Sequence, residues 1–167
     1  LFRSQRLWVA DQMAPDAALY IRPMYWAEGG LGGAVRMDAS GRLETIQSDA
    51  FKAMEKMAED GRRFDVVVCD PPAFAPAKPA LEAGLRAYER VAKLAAPLVA
   101  PGGYLVLCSC SHAADLTAFR NVSARGIGRG GRRGVLIHTG QAGPDHPMLP
   151  QLAESGYLKA LFFRLDG

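Results

Sequence analysis

Residues 64–74 read Phe-Asp-Val-Val-Val-Cys-Asp-Pro-Pro-Ala-Phe, and this stretch decides the fold of the chain. It starts as a continuous apolar run, which is typical of a strand buried on both faces of a parallel sheet. The run stops at Asp70, and the two prolines that follow cannot donate to a strand ladder, so an extended loop must come next. Asp70 is therefore predicted just past the carboxyl end of a central strand. Ligands bind at that edge of open α/β sheets, although a loop carboxylate bonded only to backbone would give the same pattern.

The composition indicates one folded domain. The chain has 167 residues, within the ~100–200 residues of a typical domain. Hydrophobic residues make up 49% of it, which is enough for a core. The formal net charge of +3 permits an anionic partner without requiring one.

The sequence carries no sign of membrane insertion or export. No apolar run is long enough to span a bilayer, and the N-terminus lacks the apolar core of a signal peptide. The first residue is not methionine, so a fragment is one interpretation. The three cysteines, Cys69, Cys108 and Cys110, have the spacing of neither a zinc site nor a disulfide framework. We therefore expect no metal, no membrane and a reducing, cytoplasmic location.

Apolar periodicity predicts strands that alternate with helices. The predicted strands cover residues 43–47, 65–69, 104–108, 135–138 and 157–165. Helices are expected from the Asp49 cap to Gly61, within 77–100, and from 113 or 114 to about 125. A basic, flexible connector is expected over 126–134. This alternation favours a three-layer α/β fold with a mostly parallel sheet and helices on both faces. The loop before the last strand is too short for a crossover helix, so that strand should run antiparallel to 135–138.

Residues 1–40 give a weaker pattern. Short apolar runs at 7–10 and 18–21 are compatible with strands, and 34–38 resembles a further short strand. The glycine cluster at 29–33 is compatible with a phosphate- or cofactor-binding turn. A helix should follow such a turn, and none is indicated, so a plain flexible turn is the preferred interpretation.

Two predicted strand ends converge on one place. Asp70 follows one strand and Cys110 follows the next, and a single crossover helix joins the two. The strands should therefore be neighbours, with both polar ends at the same sheet edge. A carboxylate and a thiol would then lie side by side.

Several motifs, taken together, resemble those of a known family: the class I S-adenosylmethionine (SAM)-dependent methyltransferases that form 5-methylcytosine in large-subunit ribosomal RNA. The similar segments are Ser-Asp-Ala-Phe at 48–51, Asp-Pro-Pro-Ala-Phe at 70–74, Pro-Gly-Gly at 101–103, Cys-Ser-Cys-Ser at 108–111, Asp-His-Pro at 145–147 and Tyr-Leu-Lys at 157–159. The resemblance covers about residues 41–167 and implies a Rossmann-like methyltransferase fold. Asp-Pro-Pro alone is shared with enzymes that methylate amino groups, so the specificity lies in the ordered set.

The resemblance implies a role for each matching residue. Cys110 would be the nucleophile that adds to C6 of cytosine, and Asp70 would polarise the base edge. Cys108 is a competing thiol, but the family pattern places the nucleophile between two serines, as Cys110 is. On the cofactor side the resemblance assigns Asp49 to the adenine amino group of SAM and Ala50 or Phe51 to the adenine ring. It also assigns Asp70 and Pro71 to cofactor binding. On the RNA side it assigns Pro72, Phe74, Lys78 and Ser111.

Other polar residues keep two interpretations. The arginines of the third helix and the connector are compatible with RNA phosphate contacts and equally with a solvated surface. They are Arg120, Arg125, Arg129, Arg132 and Arg133. Lys78 has the same two interpretations, and His112 is expected to be a surface loop residue.

The resemblance fails at the N-terminus. The family places a glycine-rich loop and a second acidic strand end ahead of the Asp49 motif, and residues 1–40 do not match that order. We therefore divide the chain into an atypical or truncated segment, 1–40, and the C-terminal part of a methyltransferase catalytic domain, 41–167. Truncation, a reading-frame change and divergence are the three explanations. Two alternatives to cytosine C5 methylation remain: methylation of an amino group through Asp-Pro-Pro, and an inactive fragment.

Overall fold

The computed structural model describes residues 5–13, 16–23, 43–143, 148–149 and 151–166. Within these residues the chain forms seven strands and three α-helices. The strands are β1 (Gln5–Met13), β2 (Asp16–Pro23), β3 (Leu43–Gln47), β4 (Phe64–Cys69), β5 (Val99–Ser109), β6 (Gly134–Gly140) and β7 (Lys159–Leu165). The helices are α1 (Ala50–Glu59), α2 (Leu81–Ala95) and α3 (Leu116–Arg129). Short 3-10 turns cover Lys78–Ala80, Ala96–Leu98 and Ala153–Gly156.

The strands form one mixed sheet in the order β3-β1-β2-β4-β5-β7-β6. Strands β2, β4 and β5 pair in parallel, whereas β1 is antiparallel to both its neighbours, as is β7. Five of the seven described strands thus point the same way, with β1 and β7 opposed. The predicted α/β fold, with strands mostly in one direction and an antiparallel last strand, is confirmed. The apolar runs at 7–10 and 18–21 are strands, and they form an antiparallel pair. The glycine cluster and residues 34–38 lie outside the described residues.

The described helices cover one face of the sheet. Helix α2 packs on β4 and β5, and it also contacts α1 and α3, so the three helices share a face. Alternate strand residues, such as Val67, Cys69 and Leu105, are fully buried beneath them. On the opposite face Val68 is half-buried and Tyr104 is 42% exposed. Within the described residues, the prediction of helices on both faces is therefore met for one face only.

Local sequence explains where α1 begins and ends. The Asp49 carboxylate accepts a hydrogen bond from the Lys52 amide at 3.1 Å, which satisfies one of the unpaired N–H groups of the first turn. The helix closes at Asp60, and Gly61 adopts a φ of +71°, a left-handed conformation that favours glycine. The predicted cap and stop are both confirmed. Met54 and Met57 of this helix are buried in the core.

Helix α3 corrects one prediction. It continues to Arg129, so residues 126–129 are helical and not part of a flexible connector. Gly126 is buried where α3 crosses α2, and a Cβ there would lie 2.5 Å from the Glu89 carbonyl oxygen and 2.6 Å from the Ala92 Cβ. The glycine serves the close approach of the two helices. The prediction of a connector was wrong because glycine is unfavourable in a helix unless a close approach of another helix requires it, and the sequence does not show that Gly126 faces α2.

Candidate functional site

The carboxyl ends of β4 and β5 bring the two predicted reactive loops together. These strands pair in parallel, with Cys69 beside Leu107, so the loops that begin at Asp70 and Cys110 leave the same edge. The Cys110 Sγ lies 4.0 Å from the carbonyl oxygen of Pro71, within reach of a weak S–H hydrogen bond. Strand β3 points the same way, so Asp49 also lies at this edge. The predicted convergence of Asp70 and Cys110 is therefore what the backbone produces.

A buried network of hydroxyl groups fixes the Ser-Cys-Ser loop. The Tyr88 hydroxyl of α2 lies 2.7 Å from Ser111 Oγ and accepts a hydrogen bond from Ser109 Oγ at 3.0 Å. The Ala75 amide donates to Ser111 Oγ at 2.9 Å, which ties the loop after Asp70 to the loop around Cys110. Both serines are buried, so each lost bond would leave an unsatisfied polar group. The serines hold the backbone on either side of Cys110 while its sulfur stays half-buried.

Lys159, the first residue of β7, supports the same loop from the other side. Its Nζ donates to the Ser111 carbonyl oxygen at 2.9 Å and to the Tyr157 carbonyl oxygen at 2.8 Å. Burial lowers the pKa of Lys159, while the nearby Cys110 and Asp115 raise it. The Asp70 carboxyl and the Lys159 ammonium are thus both close enough to Cys110 to influence its pKa, in opposite directions.

The three cysteines differ in how readily they ionise. Burial raises the pKa of Cys69, and it raises the pKa of Cys108 to about 12. Burial and then the Asp70 carboxylate raise the pKa of Cys110, while a backbone hydrogen bond and Lys159 lower it. Cys110 is half-buried, and it is the only one of the three cysteines whose pKa a nearby cation, Lys159, lowers. It is therefore the thiol best placed to react. It still needs help to lose its proton near neutral pH.

The residues predicted to hold the cofactor differ in their fit. Asp49 is exposed, and one of its carboxylate oxygens caps α1. A carboxylate has lone pairs for further donors, so Asp49 fits an adenine amino group. The Ala50 side chain is 3% exposed and belongs to the core, so it does not fit the adenine ring. Phe51 is half-buried, and the Arg90 guanidinium lies 4.4 Å from its ring centroid.

The residues predicted to bind RNA differ in their accessibility. Pro72 is half-buried and Lys78 is exposed, so both are accessible. The Phe74 ring packs edge-on against Tyr88, with 4.9 Å between centroids. Ser111 is fully buried with its hydroxyl bonded to Ala75 and Tyr88, so a direct substrate contact by that side chain does not agree with the structure.

Several basic residues have protein partners. Arg125 and Arg129 form ion pairs with the buried Glu89 of α2, and Arg132 donates to the Val99 carbonyl oxygen at 2.6 Å. These contacts join α3 and the turn after it to the rest of the core. Arg120 is exposed on α3. His112 is exposed, as predicted.

Sequence reasoning did not assign functions to Tyr88 and Lys159. Tyr88 is one of the buried residues of α2, and its hydroxyl was the available signal, because a buried Tyr usually has a hydrogen-bond partner. Lys159 belongs to the Tyr-Leu-Lys motif at 157–159, and that motif was the available signal, although the resemblance gave the lysine no role. The Asp-His-Pro motif at 145–147, which the family resemblance includes, lies outside the described residues.

Within the described part of the chain, no group of three His, Cys, Asp or Glu side chains is arranged to hold a metal ion. None of the helices described is both long and apolar enough to cross a membrane.

Sequence comparison finds relatives named as ribosomal RNA large subunit methyltransferases. One from Methanocaldococcus jannaschii is 38% identical over 125 residues, which is 75% of this chain and 31% of the relative. A ribosomal RNA large subunit methyltransferase I from Aeromonas salmonicida is 36% identical over 71% of this chain and 30% of its own length. A relative from Deinococcus radiodurans is 32% identical over 80% of this chain and 32% of its own length. The chain thus spans about a third of the curated relatives it matches. No protein-family profile matches it.

Solved structures support the fold. A methyltransferase in complex with SAH superposes with a TM-score of 0.58 at 18% identity, over 70% of this chain and 30% of that one. A protein from Streptococcus mutans named as a SAM-dependent methyltransferase gives 0.57 at 16% identity, over 70% and 29%. At this level of identity the likeness shows a shared Rossmann-like methyltransferase fold and nothing more specific.

Proposed function

We propose that this chain carries the catalytic part of a SAM-dependent methyltransferase that acts on ribosomal RNA, and that it methylates C5 of a cytosine through a cysteine–RNA adduct. The names of the relatives support the substrate class. The order of the motifs in the sequence is the basis for assigning about residues 41–167 to the C-terminal part of the catalytic domain. The observation that carries the mechanism is the position of Cys110. Its sulfur lies 4.0 Å from Pro71 O, beside Asp70, in a loop held by buried serines.

The chemistry requires a nucleophile because C5 of cytosine is itself a poor one. Asp70 accepts the proton of the Cys110 thiol and passes it to N3 of the base as the sulfur bonds to C6. The electron pair of the C5–C6 double bond then becomes available at C5. SAM, when bound, supplies the electrophilic methyl group that C5 takes up.

Release of the product reverses the addition. The N3 proton returns to Asp70, a base removes the C5 proton, the C5–C6 double bond re-forms and the C6–S bond breaks. Asp70 and Cys110 are coupled in this scheme. The negative charge of Asp70 raises the pKa of Cys110. When the base is in place, Asp70 shares a proton with N3 of the base, its negative charge is partly neutralised, and it raises the pKa of Cys110 less.

On the cofactor side, Asp49 would accept a hydrogen bond from the adenine amino group, and Asp70 and Pro71 would also help to hold SAM. Pro72 and Lys78 are the accessible candidates for RNA contact. Asp49 and Asp70 lie at the same edge of the sheet, so SAM and the target cytosine can meet there.

The test is to trap the adduct. Large-subunit ribosomal RNA is transcribed in vitro with 5-fluorocytidine in place of cytidine, so that each cytosine carries fluorine at C5. Fluorine cannot leave as a cation, so the elimination that would release Cys110 from the RNA does not occur. With SAM present, the wild-type chain should form an RNA adduct that survives denaturing electrophoresis, and a Cys110→Ala variant should form none. Cys108→Ala is the matched control and should keep the adduct.

Other outcomes separate the alternatives. Methylation that persists in Cys110→Ala without any adduct would favour amino-group methylation through Asp-Pro-Pro. Isothermal calorimetry that shows no heat with SAM at high concentration would favour an inactive fragment.

A further inference from the structure

A groove beside Cys110 is not used by the proposed reaction. It has a volume of about 510 Å³ and lies between the start of α3, the end of β6 and the start of β7. Its lining includes His112, Tyr157 and Lys159. His112 is two residues beyond Cys110, and Lys159, which also lines the groove, is close enough to Cys110 to lower its pKa, so the groove adjoins the loop that carries the reactive sulfur.

Two aromatic rings form one wall of this groove. His112 stacks on Tyr157 with 4.6 Å between ring centroids and 28° between ring planes. His112 is exposed, while Tyr157 is half-buried beneath it. A supported, exposed aromatic ring is a platform on which a nucleobase can stack, and single-stranded RNA is commonly bound in this way.

The charges in the groove favour a base over a phosphate. Lys159 is engaged by two carbonyl oxygens, and the Asp115 carboxylate is close enough to raise its pKa. A phosphate would meet that carboxylate with no free cation among the described lining residues to offset it. Thr139 and Gln141 add a hydroxyl and an amide that can bond to a base edge. The volume lies within the ~300–1,000 Å³ of small-molecule sites.

We propose that this groove receives the base of the nucleotide next to the methylated cytosine in single-stranded RNA, stacked on His112. The inference rests on the proposed function, since the target base must lie over Cys110. It adds a specificity-determining subsite that Asp70 and Cys110 do not provide.

The experiment uses the full chain and a short RNA around the cytosine mapped by 5-fluorocytidine trapping. The neighbouring nucleotide, on either side, is replaced by an abasic one, and the half-saturating RNA concentration for adduct formation is measured. On one side, loss of the base should raise that concentration about tenfold for the wild type. His112→Ala should raise it by a similar factor with the intact RNA and then be insensitive to the abasic change.

Two variants serve as controls. His112→Phe keeps an aromatic ring and should restore the response to the neighbouring base. His138→Ala removes an exposed histidine outside the groove and should behave as the wild type.

The outcomes separate this inference from the proposed function. Absence of any wild-type adduct contradicts the proposed function and the subsite with it. An adduct that forms equally well with abasic RNA on both sides overturns the subsite alone. So does a His112→Ala effect that adds to the abasic effect, because two groups in contact cannot act independently.

Discussion

The α2–α3 interface and the loops around Cys110 are held together in opposite ways. At the interface, Gly126 lets two helix backbones approach so closely that a single added carbon would meet Glu89 O at 2.5 Å. At the loops, hydroxyl groups of Tyr88, Ser109 and Ser111 hold the backbone on either side of the half-buried Cys110. The difference teaches that shape determines stability in one region and polar bonds set reactivity in the other. Substitutions should then separate the two properties.

The largest effect is expected where shape leaves no room. Gly126→Ala should lower the free energy of unfolding by about 1–3 kcal/mol, because the new Cβ forces the two helices apart. The cost of that separation exceeds the gain in helix propensity from alanine. Urea denaturation followed by circular dichroism measures this. Gly128→Ala is the matched control in the same helix, since a Cβ there meets nothing within 4 Å. It should be neutral or stabilising by up to ~1 kcal/mol. Equal losses for the two variants would contradict the close approach.

A smaller effect is expected from the hydroxyl network. Tyr88→Phe removes the group that bridges Ser109 and Ser111, and it should cost about 1–2 kcal/mol because buried hydroxyls lose a partner. It should also speed alkylation of Cys110, since the loop loses one anchor to α2. Tyr104→Phe is the control, because Tyr104 is exposed, and its stability should change by less than ~0.5 kcal/mol. A stable Tyr88→Phe protein with unchanged Cys110 reactivity would show that the network does not support the loop.

The smallest effect on stability, with a clear effect on reactivity, is expected from the two charges beside the sulfur. The rate of Cys110 alkylation by iodoacetamide should rise with pH through a midpoint above the ordinary thiol value, since burial and Asp70 raise its pKa. Asp70→Asn removes the negative charge and should shift the midpoint down. Lys159→Met removes the positive charge and should shift it up. Mass spectrometry of the alkylated site, with Cys110→Ala as the blank, excludes reaction at Cys108. Shifts in the same direction for both variants would contradict the opposed charges.

These two regions also differ in how far the sequence could predict them. The convergence of Asp70 and Cys110 followed from strand endings and from one crossover helix, because both are properties of the backbone. The role of Tyr88 did not follow, because the side chain that reaches the loop depends on how α2 rotates and packs. Gly126 was misinterpreted for the same reason: a glycine that fits a helix crossing and a glycine that breaks a helix look alike until the partner helix is known.

The position of β7 has a consequence for how the protein is made. This strand lies between β5 and β6, although the ribosome makes it after both. Until Lys159–Leu165 has emerged from the exit tunnel, β5 exposes one bare edge and β6 lacks the strand that pairs with it in the described part of the sheet. Bare edges are where chains associate wrongly, so the newborn protein is most vulnerable to aggregation in that interval. The same strand carries Lys159, which means that the loop around the reactive sulfur gains its bond from Lys159 only after β5 and β6 have both been made.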